Sequence, residues 1–272
     1  KSEGYTVQKL VRRPAINSEE ISWDSKNQTI DLEALAGVDA VIHLAGAGVG
    51  DKRWTKKYKA EILNSRLLGT TTIANAVAQV KPKVFISASA IGWYGETGNR
   101  AVTETDRGGD DFLATVCREW EAAADLAGDV RTLKMRTGLV LDPTGGALGR
   151  MLPLFRFGLG GKLGSGKQWW SWITMQDQVR AIKHLLNSSI SGPVNLTSPN
   201  PVTNSQFTAA LARALHRPAF VQAPGFALKL ALGGFSTEIL GSKKVIPQAL
   251  LDDGFSFDYP HVSEALTQLV QI

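Results

Sequence analysis

At 272 residues, with 43% hydrophobic and 20% charged positions, the chain has room for one α/β domain and a smaller appendage, and its composition excludes a disordered protein. Lysine and arginine number 30 against 25 aspartates and glutamates, a net charge of +5 with a pI of about 9.3, which suits a cytoplasmic protein that binds a phosphorylated ligand. The basic residues are scattered and no helix carries a dense Lys/Arg stripe, so nucleic acid is not an expected partner.

A single cysteine, Cys117, excludes an internal disulfide framework and a multi-cysteine metal site and points to a reducing compartment. His43, His184, His216 and His261 stand far apart in sequence, so no metal is expected. The apolar stretch "FALKLALGGF" is about half a membrane span and contains Lys229, so no transmembrane helix and no membrane partner are expected.

The chain begins "KSEGYTVQKLVRRP", which reads as a helix end, a turn at Gly4 and a strand over 6–11. No signal peptide precedes it, and a domain that opens on its second strand is expected to lack its first. Further strands are predicted at 21–23, 40–44, 83–87 and 131–141, with helices over 55–79 and 110–127 between them. Strand then helix with short links predicts a doubly wound parallel sheet, whose ligands lie beyond the carboxyl ends of the strands. After Leu141 the composition turns to glycine and tryptophan, then a helix over 175–186, the strand-like "PVNLTS", and a capping box at Thr203 and Gln206 that opens another helix. The expected division is a Rossmann-like domain over 1–142, with 173–198 packing back onto it, and a smaller substrate lobe over 143–272.

Arg12 and Arg13 follow the first visible strand. In a dinucleotide fold that strand end faces the adenosine ribose, where arginine pairs with a 2′-phosphate, so NADP is favoured over NAD; the alternative is two solvated arginines. "GVDAVIHLAGAGVG" runs a buried strand into Ala-Gly steps that allow close backbone approach, with His43 as a core residue. "GKLGSGKQ" nearly satisfies the phosphate-loop pattern, but Gln168 stands where a hydroxyl must bind magnesium and "WWSW" begins no helix, so an ATPase is rejected. Trp169, Trp170 and Trp172, with Trp93 and Tyr94, either line an apolar substrate pocket or pack between lobes. The acceptor pattern Asn195-Leu196-Thr197 is accidental without a secretory signal.

Taken in order, the segments "VRRP", "ISWD", "VDAVIHLAGAGV", "RWTKKYKAEILNSRLLGT", "ISASAIGWYGE", "RTGLVLDPTGGAL" and "GLGGKLGSGKQWWSWITMQD" resemble the extended short-chain dehydrogenase/reductase superfamily, in its atypical nucleotide-sugar epimerase-like branch. The resemblance implies NADP held by Arg12 and Arg13, with Asp24 near adenine, Leu44, Ala45 and Gly46 bordering the cofactor, and Arg66 bracing the loop beneath it. Ser87 and Ala88 would lie on the nicotinamide side, and Arg136, Thr137 and Gly138 would close over it. Ser89 matches the catalytic serine if one residue is inserted before Tyr94-Gly95.

Two departures stand out. The glycine-rich turn that seats the pyrophosphate on a helix N-terminus is absent from this sequence. The family's proton-donating tyrosine and its lysine fall on Leu113 and Cys117 when Glu121 is aligned with the usual downstream glutamate. Tyr94 is then the substitute donor, or a substrate contact. The expected activity is an NADP-dependent, epimerase-like oxidoreductase on a small or nucleotide-linked carbonyl or hydroxyl compound; the alternative is a non-catalytic NADP-binding sensor. Relatives pair their long helices in a dimer, but Lys56, Lys57, Lys59, Arg118 and Glu119 leave those faces mixed, so monomer and homodimer both stand.

Overall fold

The computed structural model describes residues 4–271, so the helix end expected ahead of Gly4 lies outside the described residues. In chain order the first part comprises β1 (Lys9–Val11), β2 (Glu20–Asp24), β3 (Thr29–Ile30), α1 (Leu32–Leu35), β4 (Ala40–His43), α2 (Lys56–Val80), β5 (Val84–Ala90), β6 (Ala101–Val102), α3 (Phe112–Ala124), β7 (Thr132–Thr137) and β8 (Leu139–Leu141). The rest comprises α4 (Gly146–Arg156), β9 (Trp169–Trp170), β10 (Trp172–Thr174), α5 (Met175–Asn187), β11 (Gly192–Leu196), β12 (Val202–Thr203), α6 (Asn204–Ala214), α7 (Gly225–Leu232), α8 (Ser236–Leu240), β13 (Lys244–Val245), α9 (Gln248–Asp252) and α10 (Val262–Val270).

The centre is a four-stranded parallel sheet in the order β11-β7-β5-β4. Strand alternation divides β5 between two faces: Phe85 packs with Ile73, Ala74 and Val77 of α2, while Ile86 packs with Ala181 and Leu185 of α5. Helices on both faces of a parallel sheet make the doubly wound, Rossmann-like α/β architecture. Beside it stands a second sheet, β1-β2-β3. Among the described residues no hydrogen-bonded strand joins β1 to β4, and Ile42 on β4 is 40% exposed. That gap is the position the family resemblance assigns to the first strand. The segment β10–α5–β11 returns to the sheet, β10 beside β8 and β11 beside β7.

Two elements differ from the sequence reading. The strand expected over 6–11 is ordered as strand only at Lys9–Val11. The single strand expected over 131–141 is two, because the chain changes partners at Gly138, whose N–H bonds Leu196 O while the next N–H bonds Ser171 O. A Cβ there would sit 2.5 Å from Ser171 O, so the crossover requires glycine. The helix caps follow the sequence: Thr55 accepts from Tyr58 N at the start of α2, and the capping box at Thr203 and Gln206 is formed. Among the described residues no helix is long and apolar enough to cross a membrane.

Candidate active site

The strand ends offer an open, small-residue surface. Leu44, Ala45 and Gly46 are exposed where β4 ends, and Ala88 and Ala90 are half-buried at the end of β5. Arg66, on α2, reaches under this loop, its Nη1 donating to Ala47 O at 2.9 Å, and its side chain lies 3.3 Å from where a Cβ on Gly46 would be. At the end of β1 the two arginines part. Arg12 is exposed, whereas Arg13 makes a two-pronged pair with Glu20 at 2.7 and 2.6 Å. Only Arg12 is therefore available to a 2′-phosphate without first breaking a pair. Asp24 accepts from Lys26 N, Asn27 N and Asn27 Nδ2, so its carboxylate caps the turn after β2. The residues present suit a flat ligand laid across the strand ends with an anionic group at Arg12.

Ser87 and Ser89 point to the same face of β5 as Phe85, the side covered by α2 and α3. Ser87 is 1% exposed and bonds only the neighbouring Ala88 O, at 3.4 Å. Ser89 donates to Glu121 Oε1 at 2.7 Å. Glu121 takes a bidentate pair from Arg136, Nε to Oε1 at 2.8 Å and Nη2 to Oε2 at 2.9 Å. Arg136 Nη1 donates to the Tyr94 hydroxyl at 3.1 Å, and Tyr94 donates to Asn195 Oδ1 at 2.7 Å. Trp93 lies under the guanidinium, 3.9 Å from its centre to the ring centroid. Burial pushes the Tyr94 hydroxyl up to about 12, even against the opposing pull of Arg136.

This chain of bonds runs against the expectations for Arg136 and Tyr94 and fixes where Ser89 sits. Arg136 does not close over a nicotinamide; it is 3% exposed and turned inward to Glu121. Tyr94 is not a free proton donor, since its one hydrogen is given to Asn195. Ser89 is not opposite the positions of the family's tyrosine and lysine. Those positions, Leu113 and Cys117, face Gly92 and Ala90: a Cβ on Gly92 would lie 3.3 Å from Leu113 Cβ, and the Cys117 thiol donates to Ala90 O at 3.6 Å. Ser89 sits one helical turn further along α3, at Glu121. Burial pushes the Cys117 thiol up to about 12, with Glu121 adding to the effect, so it stays a neutral core group.

Thr137 and Gly138 stand at the carboxyl end of the interior strand β7, Thr137 Oγ1 receiving a bond from Gln178 Nε2 at 3.5 Å. The tryptophans give a further correction. Trp172 is fully buried with its indole N–H on Asn200 O, and Trp169 is held between Asn99 Oδ1 and the Lys244 ammonium, so neither lines a substrate pocket. Trp93 supports Arg136 instead. The cavity beside Leu113, about 130 Å³, is lined by Trp54, Phe112, Glu96, Asp111, Glu238 and Lys243. Burial works against the Lys243 charge, but Glu238, bonded at 2.8 Å, with Asp111 and Glu96 behind it, holds the ammonium above the ordinary lysine range. Sequence reading missed this group because α8 and β13 are brought to α3 only by the fold. Asn195, read as an accidental glycosylation pattern, is fully buried and bonded to Tyr94 and to Ile246 O.

The sequence profile of the NAD dependent epimerase/dehydratase family matches residues 1–115, and one described as a domain of unknown function, DUF1731, matches 223–269. Epimerase family protein ML0860 of Mycobacterium leprae is 43% identical over 98% of this chain and 88% of its own length. The chain belongs to the epimerase family. Epimerase family protein SDR39U1 of Bos taurus is 34% identical over 99% of this chain and 93% of its own. The crystal structure of human epimerase family protein SDR39U1 (isoform 2) with NADPH matches at a TM-score of 0.90 and 31% identity, covering 99% of this chain and 92% of that one.

Proposed function

We infer that the protein is an NADP-dependent, epimerase-like oxidoreductase in which Lys243 takes the part of the missing tyrosine. On this reading 1–142 with 173–198 bind the cofactor and the remainder supplies the substrate side. The NADPH in the human relative and the free Arg12 support the cofactor assignment. The observation that carries the chemistry is the buried ammonium of Lys243 in a cavity that also contains Leu113, where the family has its proton donor. Bound NADPH would supply the hydride to a carbonyl carbon. Lys243 would hydrogen-bond the carbonyl oxygen as it gains negative charge and give it a proton, while Glu238 fixes the amine and Trp54 and Phe112 exclude water. An alkoxide is far more basic than an amine, so a raised lysine still yields its proton.

The test is NADPH oxidation by small aldehydes, ketones and nucleotide-linked keto sugars. Lys243→Met is expected to lower kcat by roughly a hundredfold or more while NADPH binding persists, with Lys243→Arg recovering part of it. Equal rates in Lys243→Met and the parent would refute the assignment. The second reading, an NADP-binding sensor without turnover, is favoured by the apolar Leu113 and the buried, neutral thiol of Cys117 at the positions of the family's tyrosine and lysine. It predicts NADPH binding with no oxidation by any of these compounds.

A further inference from the structure

The stretch from 143 to 237 holds nine lysines and arginines and one carboxylate, Asp177. Asp177 is 1% exposed, accepts from the backbone N–H groups of Asp258 and Tyr259 and pairs with Arg180 at 2.8 Å, so of the nine cations it offsets only Arg180. The positive excess of this stretch thus comes from its shortage of carboxylates, its basic residues being no denser than in the rest of the chain. Lys162, Arg213 and Arg217 line an open groove of about 710 Å³ between α6 and the 218–220 turn, and none of the three is ion-paired among the described residues. Thr208, also in its lining, is 3% exposed and its hydroxyl has no hydrogen-bond partner.

Apolar side chains adjoin these cations. Phe220, 88% exposed, stands at the rim of the groove. The 157–163 segment runs beside 218–223, joined by Val221 N to Gly160 O and Ala223 N to Lys162 O, and it exposes Phe157 at 81%. The next element, α7, has no buried residue; Phe226 and Leu230, one turn apart, are three-quarters exposed on the face that also carries Lys229. Exposed aromatic and aliphatic groups among unpaired cations match the chemistry of a bilayer interface, where the apolar groups enter the acyl boundary and the cations meet phosphates. A free phosphate would use the cations and leave the apolar groups in water, and a nucleic acid, which could stack bases on the rings, would leave Leu230 in water. A second copy of the chain would bring like charge against like charge.

We propose that the groove, the paired 157–163 and 218–223 segments and α7 form a docking surface for an anionic lipid membrane, with headgroup phosphates in the groove. The sequence expectation of no membrane partner concerned spanning helices, and surface docking needs none.

The test is sedimentation of the full chain with vesicles of phosphatidylcholine alone or mixed with phosphatidylserine. Binding to the mixed vesicles is expected to be at least about tenfold stronger and to fall with salt. Phe226→Ser/Leu230→Ser and Arg213→Glu/Arg217→Glu should each weaken it by roughly tenfold with unchanged circular dichroism, while Lys56→Glu/Lys57→Glu, at the exposed start of α2, should leave it intact. Failure to bind the mixed vesicles, or equal loss in the Lys56/Lys57 variant, would overturn the proposal, the latter by reducing it to diffuse charge. So would unchanged binding in the Phe226/Leu230 variant, or a lipid-free dimer that the same variant dissolves.

Discussion

The two ends of α3 carry opposite chemistry. At its start, Leu113 and Cys117 pack on Gly92 and Ala90 and leave the family's reactive positions apolar. Further along, Glu121 gathers Ser89 and Arg136 and, through Arg136, Tyr94 and Asn195 into a buried, mutually satisfied array. A polar group buried in a dry sheet interface is held by its partners, and one with all its bonds made has none to offer a substrate. Polarity at the end of β5 is thus a structural feature here, and the charge available for chemistry, Lys243, arrives from the C-terminal region.

The comparison can be broken most forcefully at Glu121. Glu121→Leu strands the Arg136 charge and should cost about 3–5 kcal/mol in urea unfolding, whereas Glu121→Leu/Arg136→Leu should recover most of the loss. If the single change is neutral, the array is not a buried ion-pair network. The apolar end is tested by Cys117, whose thiol should be inert to thiol reagents at pH 8 in the folded protein and react at the rate of unfolding. Reaction as fast as that of a free thiol would mean that the start of α3 is open. Alkaline titration separates the ends further. Tyr94, at about 12 in the fold against 10.0 when unfolded, stays protonated where the unfolded chain ionises, so stability should fall by about 2 kcal/mol as pH rises from 10 toward 12. Cys117, raised from 9.0 to about 12, adds a slope of its own over the same range, so Tyr94→Phe should remove only the tyrosine's share. Between the arginines of β1, Arg12→Ala should weaken NADPH binding by about tenfold and Arg13→Ala by less, because Glu20 already holds Arg13.

Much of the sheet was legible because β5 opens on a short, continuous apolar run and α3 and α5 carry a 3.6-residue pattern, with caps at Thr55 and Thr203. The site was less so. Matching Tyr94-Gly95 to the family fixed a register for Ser89 but not its level along α3, which depends on how deep β5 lies against the helix. Arg13 and Glu20 meet only because β1 and β2 pair in parallel from Lys9 with Glu20, and Lys243 reaches Leu113 across more than a hundred intervening residues. Trp169 and Trp172 show the same limit, since aromatic composition is identical for a pocket wall and for a lobe core.

The account rests on NADPH binding at the strand ends. The direct measurement is a tryptophan-fluorescence titration of the full-length protein with NADPH and with NADH, alongside Arg12→Ala. The account predicts quenching by NADPH at lower concentration than by NADH, with that preference lost in Arg12→Ala. Binding of neither nucleotide, or equal binding of both with and without Arg12, would contradict it.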